Sequence, residues 1–306
     1  MRSRWRTSLR RSVTALVVVV TLAGVLGSCS VDSDPRVAVA TTSTSVYDST
    51  RWTPARGWVA AHPGRNLPTT IWYPAEGDGP WPLIVFAHGY NVDPWYYDRL
   101  LRRWAAAGYV VAAPEFPGSG SNSPGPARGD DIPQQPQDLS VVITAMLGPG
   151  APAEVAGKID PAHIAAAGHS DGGSTVAALA LNGPVRDYRV RCYLVLAGAL
   201  PSMPAQYDGA NTGPVLVVQG YQDPYNDVSD ARAVHLFSHN PPKAFVIAPG
   251  AGHTDLYLDD GVQPDTVRAA TVDWLNLTLK GQQPARDRFF THASSPGVTE
   301  LESSGL

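Results

Sequence analysis

Beyond residue 50 the chain alternates short, continuous apolar runs with longer stretches of helical period. The runs at 69–73, 83–86, 109–113, 164–167, 193–196, 215–218 and 245–247 are mostly apolar at consecutive positions, as strands buried on both faces are. Helical patterns occupy the gaps, at 95–107, 137–147, 172–181, 228–237 and 267–279. This alternation predicts an α/β fold with a doubly wound, mostly parallel sheet. Ligands of such sheets bind beyond the carboxyl ends of the strands, so the residues after each run are where chemistry is expected. Only about 18 residues, Ala197 to Pro214, separate two of the runs. No large helical cap fits there, and an open cleft is expected.

The first 50 residues follow another pattern. Arg2, Arg4, Arg6, Arg10 and Arg11 precede an apolar run from Val13 to Leu26, which ends in Leu26-Gly27-Ser28-Cys29. The run is shorter than the ~20 residues a membrane-spanning helix needs and suits the apolar core of an export signal. The tetrapeptide resembles the lipobox of bacterial lipoproteins, which implies lipidation at Cys29 after removal of residues 1–28; an ordinary secretory signal is the alternative. Residues 29–50, rich in Ser and Thr, read as a flexible tether. Residues 51–306 then form one catalytic domain. The protein is expected outside the cytoplasm, held to the lipid bilayer by its N-terminal anchor, or secreted if Cys29 is not lipidated.

Composition narrows the chemistry. Of 306 residues, 43% are hydrophobic and 16% charged, ample material for one large core. Loss of the five leader arginines takes the formal charge from −4 to −9, which argues against nucleic acid as a partner. Cys29 and Cys192 are the only cysteines, too few for a thiolate zinc site or an iron–sulfur cluster. No cofactor and no metal are expected, and a monomer is the default oligomeric state.

After the run at 164–167 stands Gly168-His169-Ser170-Asp171-Gly172-Gly173, a G-x-S-x-G match with a strand before it and a helical pattern behind it. That context fits a nucleophile elbow, with Ser170 exposed at a sharp strand-to-helix turn. A serine hydroxyl needs a base to take its proton. Of eight histidines, His253 alone follows a late strand in a glycine-rich loop, Pro249-Gly250-Ala251-Gly252-His253. The third group must accept the other imidazole N–H. Asp223, in Gly220-Tyr221-Gln222-Asp223-Pro224, is the candidate, and Asp227 competes with it. Oxyanion donors are expected in the backbone N–H groups of Asp171 and of Tyr90, which follows His88-Gly89; Asn91 is the alternative to Tyr90. Trp95, Tyr221 and Tyr225 are candidate substrate-binding aromatics.

The segments 66–75, 82–89 and 107–114, with the elbow, resemble α/β-hydrolases of the group that contains platelet-activating-factor acetylhydrolase-like and dienelactone-hydrolase-like esterases and cutinase-type polyester hydrolases. The resemblance runs over roughly residues 65–285. It implies the α/β-hydrolase fold and a serine carboxylesterase acting on small-molecule or polymeric esters through an acyl-enzyme on Ser170, His253 and Asp223; the open cleft expected from the short stretch Ala197 to Pro214 points to short to medium acyl groups. Dienelactone hydrolases proper use a cysteine where this chain has Ser170. A peptidase or amidase on the same residues, or an inactive hydrolase fold serving as an envelope binding lipoprotein, are the other readings.

Overall fold

A computed structural model describes residues 37–201, 207–211 and 213–306. The expected signal segment and Cys29 lie outside the described residues. Nine strands form one sheet: β1 (Val39–Thr53), β2 (His62–Pro74), β3 (Trp81–Ala87), β4 (Val110–Pro114), β5 (Ile159–His169), β6 (Val190–Leu196), β7 (Val215–Gly220), β8 (Lys243–Ala248) and β9 (Glu300–Ser304). The helices are α1 (Asp98–Ala106), α2 (Gln135–Met146), α3 (Asp171–Leu181), α4 (Val228–Phe237), α5 (Asp255–Leu258), α6 (Val262–Thr278) and α7 (Ala285–Ala293).

The sheet order is β1-β2-β4-β3-β5-β6-β7-β8-β9. Six neighbouring strands from β4 to β8 run parallel, β2 and β9 run against them, and β1 pairs antiparallel with β2. The chain passes from β3 outward to β4 and then crosses back to β5 on the other side of β3. The strand order therefore reverses between β3 and β5, and a crevice opens at their carboxyl ends.

Successive strand residues feed two separate cores. Ile84 and Phe86 join Trp104 of α1 and Trp274 of α6 on one face, while Leu83 and Val85 join Leu139 of α2 and Val176 of α3 on the other. With both faces covered, the parallel strands must be apolar throughout. All seven expected strands and five expected helices are present. Among the described residues between β6 and β7 there is no helix.

The tether expected over 29–50 is corrected from Val39 onward. Residues 39–53 form β1, paired with β2 from Val39 opposite Pro74 to Thr53 opposite His62. The strand is held by Thr and Ser alternating in and out rather than by apolar residues, and of its side chains Val46, Asp48 and Thr53 are buried. Threonine is a good strand former at a half-exposed edge, so a polar composition conceals the strand. The catalytic domain accordingly begins upstream of Arg51.

Candidate active site

β5 ends at His169 and α3 begins at Asp171, so Ser170 alone makes the turn between them. Its backbone lies at φ 59°, ψ −124°, a conformation that costs a non-glycine residue about 1–3 kcal/mol. The elbow glycines allow the close approach around it. A Cβ on Gly168 would stand 2.2 Å from the Gly172 carbonyl oxygen, and one on Gly172 would stand 2.0 Å from that of Ala87. The Ser170 amide donates to the Leu196 carbonyl at 2.9 Å, and Ser170 lines a cleft of about 400 Å³.

His253, in the loop after β8, lines the same cleft. Its Nε2 lies 2.9 Å from Ser170 Oγ and its Nδ1 2.7 Å from Asp223 Oδ2. A carboxylate can only accept, so the proton sits on Nδ1 and Nε2 is free to accept from the serine hydroxyl. The Asp223 side chain is buried, and burial alone would raise its pKa. Hydrogen bonds from His253 and from the Asn226 and Tyr225 amides outweigh that and hold the carboxyl below its ordinary value. Gln219, the last polar side chain of β7, donates to the same Oδ2 at 2.9 Å. Asp227 is engaged elsewhere, as the N-cap of α4, where its carboxylate accepts from Ser229 N.

Behind the elbow, His169 is wholly enclosed. Burial pushes its pKa down to about 3, so the ring is neutral. Gly89 N–H donates to Tyr97 Oη at 3.1 Å, Tyr97 Oη–H to His169 Nδ1 at 2.9 Å, and His169 Nε2–H to the His253 carbonyl at 2.8 Å. His88 is also buried and neutral, its pKa lowered to about 4 by burial. It accepts from the Phe116 amide and donates to the Gly89 carbonyl.

The amides around Ser170 sort themselves by partner. Gly89 N–H is taken by Tyr97, and Asn91 N–H donates to the Ser119 carbonyl at 2.9 Å. The N–H groups of Tyr90 and Asp171 make no hydrogen bond among the described residues. The first amides of a helix have no intrahelical acceptor, which leaves that of Asp171 available to a ligand. Tyr90, rather than Asn91, is thus the unpaired amide on the β3 side. The Tyr90 hydroxyl reaches the Ala127 carbonyl. That segment is pinned in turn by Arg56, which donates to the carbonyls of Pro117, Gly120 and Pro126.

The three aromatic candidates separate. Tyr225 lines the cleft, its ring 5.0 Å from that of His253. Trp95 and Tyr221 do not line it. Trp95 instead packs edge-on against Trp72, at 5.2 Å between ring centres. Tyr221 is exposed in the turn after β7, where its amide bonds the Ala248 carbonyl. Tyr96 and Tyr97 line the cleft in their place. The polar supports Tyr97 and Gln219 were not among the expected site residues; a lone glutamine closing the apolar run of β7 was the available signal for the second. Cys192 is buried in β6, and burial pushes its thiol pKa up to about 11. Among the described residues, no group of three His, Cys, Asp or Glu side chains is placed to hold a metal ion.

No curated protein matches the chain. The family model described as chlorophyllase matches residues 42–197, from within β1 to the residue after β6. The match includes Tyr90 and the Ser170 elbow and ends before Asp223 and His253. Just over half of the chain, including the sheet reversal at β3 and β5 and the strained turn at Ser170, falls under that description, and the chain belongs to the chlorophyllase family, a family of ester hydrolases of the α/β-hydrolase type.

Proposed function

We propose that the protein is a serine carboxylesterase of short to medium acyl groups, exported and tethered to the membrane through a lipid on Cys29. The observation that carries the enzymatic reading is the pair of hydrogen bonds centred on His253, 2.9 Å to Ser170 Oγ and 2.7 Å to Asp223 Oδ2. Ser170 attacks the ester carbonyl as His253 Nε2 takes its proton, and Asp223 stabilises the imidazolium. The unpaired amides of Tyr90 and Asp171 stabilise the oxyanion. His253 then returns the proton to the departing alcohol. Water, activated by the same imidazole, attacks the acyl-enzyme and releases the acid with Ser170 restored.

The acyl-chain preference is supported by the open cleft. Each buried methylene is worth ~0.8 kcal/mol, or roughly fourfold in kcat/KM when realised in the transition state, and an open groove supplies that for only the first few carbons. The test is a p-nitrophenyl ester series with matched anilides, run on the wild type and on Ser170→Ala. Ester turnover that plateaus by about C8, exceeds anilide turnover and falls by several orders of magnitude in the variant is expected. A fluorophosphonate should label Ser170 alone. Unchanged turnover in the folded variant, or faster anilides, would overturn the reading. Release of the wild type from membranes with an unmodified N-terminus would overturn the anchor.

A further inference from the structure

The cleft contains a carboxylate that ester hydrolysis does not use. Asp171 follows Ser170 at the first position of α3 and lines the cleft. Its side chain makes no hydrogen bond or ion pair with any described residue. Burial raises its pKa, and the opposing influence is the charge of His253 when protonated. No lysine or arginine is among the described residues that line the cleft. Tyr90, Tyr96 and Tyr225 are among its lining residues and are 48%, 51% and 78% exposed.

A helix N-terminus favours a carboxylate, which explains why an aspartate is tolerated at this position. It does not explain an unpaired carboxylate in the substrate cleft, beside the amides that would receive an oxyanion. Such a group repels negative charge brought in by a substrate and attracts positive charge. The faces of tyrosine rings act in the same sense, because their quadrupole attracts cations. With no lysine or arginine in the lining, His253 is the one side chain there that can oppose Asp171, and while its imidazole is neutral the cleft is polarised toward cations.

We propose that the cleft is selective for esters carrying an ammonium group a few atoms from the scissile carbonyl, with Asp171 as its countercharge and Tyr90, Tyr96 and Tyr225 as its walls. The inference rests on the esterase reading and names its substrate class. Asp171 is then a specificity-determining residue, whose backbone N–H and side chain serve different ends. The amide receives the oxyanion, and the carboxylate selects what the ester carries.

The test compares isosteric esters within each enzyme, so that the amount of folded protein cancels. On the acyl side, p-nitrophenyl 4-(trimethylammonio)butyrate is set against p-nitrophenyl 5,5-dimethylhexanoate. On the alcohol side, butyrylcholine is set against 3,3-dimethylbutyl butyrate. The wild type is expected to favour the ammonium ester by about tenfold in kcat/KM in at least one pair, as a partly screened charge pair with a cation–π contact supplies. That ratio should shrink as salt is added and fall to near one in Asp171→Asn. A wild-type ratio of one or less in both pairs, or a preference that Asp171→Asn leaves intact, would overturn the inference while turnover of the neutral esters still upheld the esterase. Absence of any turnover by the wild type would overturn the esterase reading and this inference with it.

Discussion

His169 donates from Nε2 to the main-chain carbonyl of His253 at 2.8 Å, and its Nδ1 accepts from Tyr97, whose hydroxyl in turn accepts from Gly89 N–H. The elbow residue before Ser170 therefore ties the loop bearing the imidazole to the loop bearing the Tyr90 amide. The two hydrogen bonds of the Tyr97 hydroxyl are buried and that to the His253 carbonyl is partly so; at the buried pair a lost partner costs more than the bond itself is worth.

Tyr97→Phe removes the link and keeps the ring. Gly89 N–H is left without an acceptor and His169 Nδ1 without a donor, a loss of about 1–2 kcal/mol in stability. Because small displacements of reacting groups cost rate more than binding, kcat should fall about tenfold with KM within about twofold. Steady-state kinetics beside a thermal melt checks this. An unchanged kcat in a destabilised variant would confine Tyr97 to packing.

The two neighbouring aspartates make opposite predictions. Asp223→Asn deprives His253 Nδ1–H of its carboxylate and should lower kcat by about 10³–10⁴-fold. Asp227→Asn keeps a competent cap on α4, because asparagine caps as well as aspartate, and both kcat and stability should stay close to wild type. Paired kinetics of the two variants decides the matter, and the reverse ranking would move the acid to Asp227.

Acid should destabilise the fold through its buried imidazoles. The folded-state pKa of His88 is lowered to about 4 and that of His169 to about 3, below the ~6.5 of an exposed histidine. As pH falls through 6.5, the unfolded chain takes up protons that the folded chain refuses. Stability that is complete above pH 6.5 is thus lost progressively down to about pH 4 for His88 and about pH 3 for His169, at up to one proton each. Denaturant melts between pH 7 and 4.5 should show this slope, and His88→Asn should flatten it by up to one proton. An unaltered slope would mean that His88 charges without unfolding.

Most of the scaffold was legible because buried parallel strands admit only apolar residues, and the residues that end them stand where chemistry occurs. Ser170, Asp223 and His253 each follow such a run, and the three side chains meet. What escaped was polar. α7 and β9 carry too little apolar pattern to stand out, and Glu300–Ser304 reads as tail although it completes the sheet beside β8. Trp95 and Tyr221 show a different limit: closeness to a site residue along the chain does not decide on which side of a loop a ring packs.

β1 covers the edge of β2 from Pro74 to His62, and it carries side chains that tie the N-terminal region to α2. Asp48 accepts from Arg51 Nε at 2.6 Å, and the Arg51 guanidinium also bonds the Asp138 carboxylate. Asp138 accepts from Arg65 Nη2 at 2.6 Å as well, and Arg65 further pairs with Asp131. A chain beginning at residue 37 retains all of this and should melt like the longer protein. A chain beginning at Arg51 leaves most of the β2 edge unpaired, loses Val46 from the core and deprives Arg51 of Asp48. Exposed edges recruit other chains, and a loss of several kcal/mol corresponds to roughly 10 °C in Tm for a domain of this size. The shorter chain should therefore melt about 10 °C or more below the longer one and associate in size-exclusion chromatography. Equal Tm values and a monodisperse short chain would return residues 37–50 to the role of a tether.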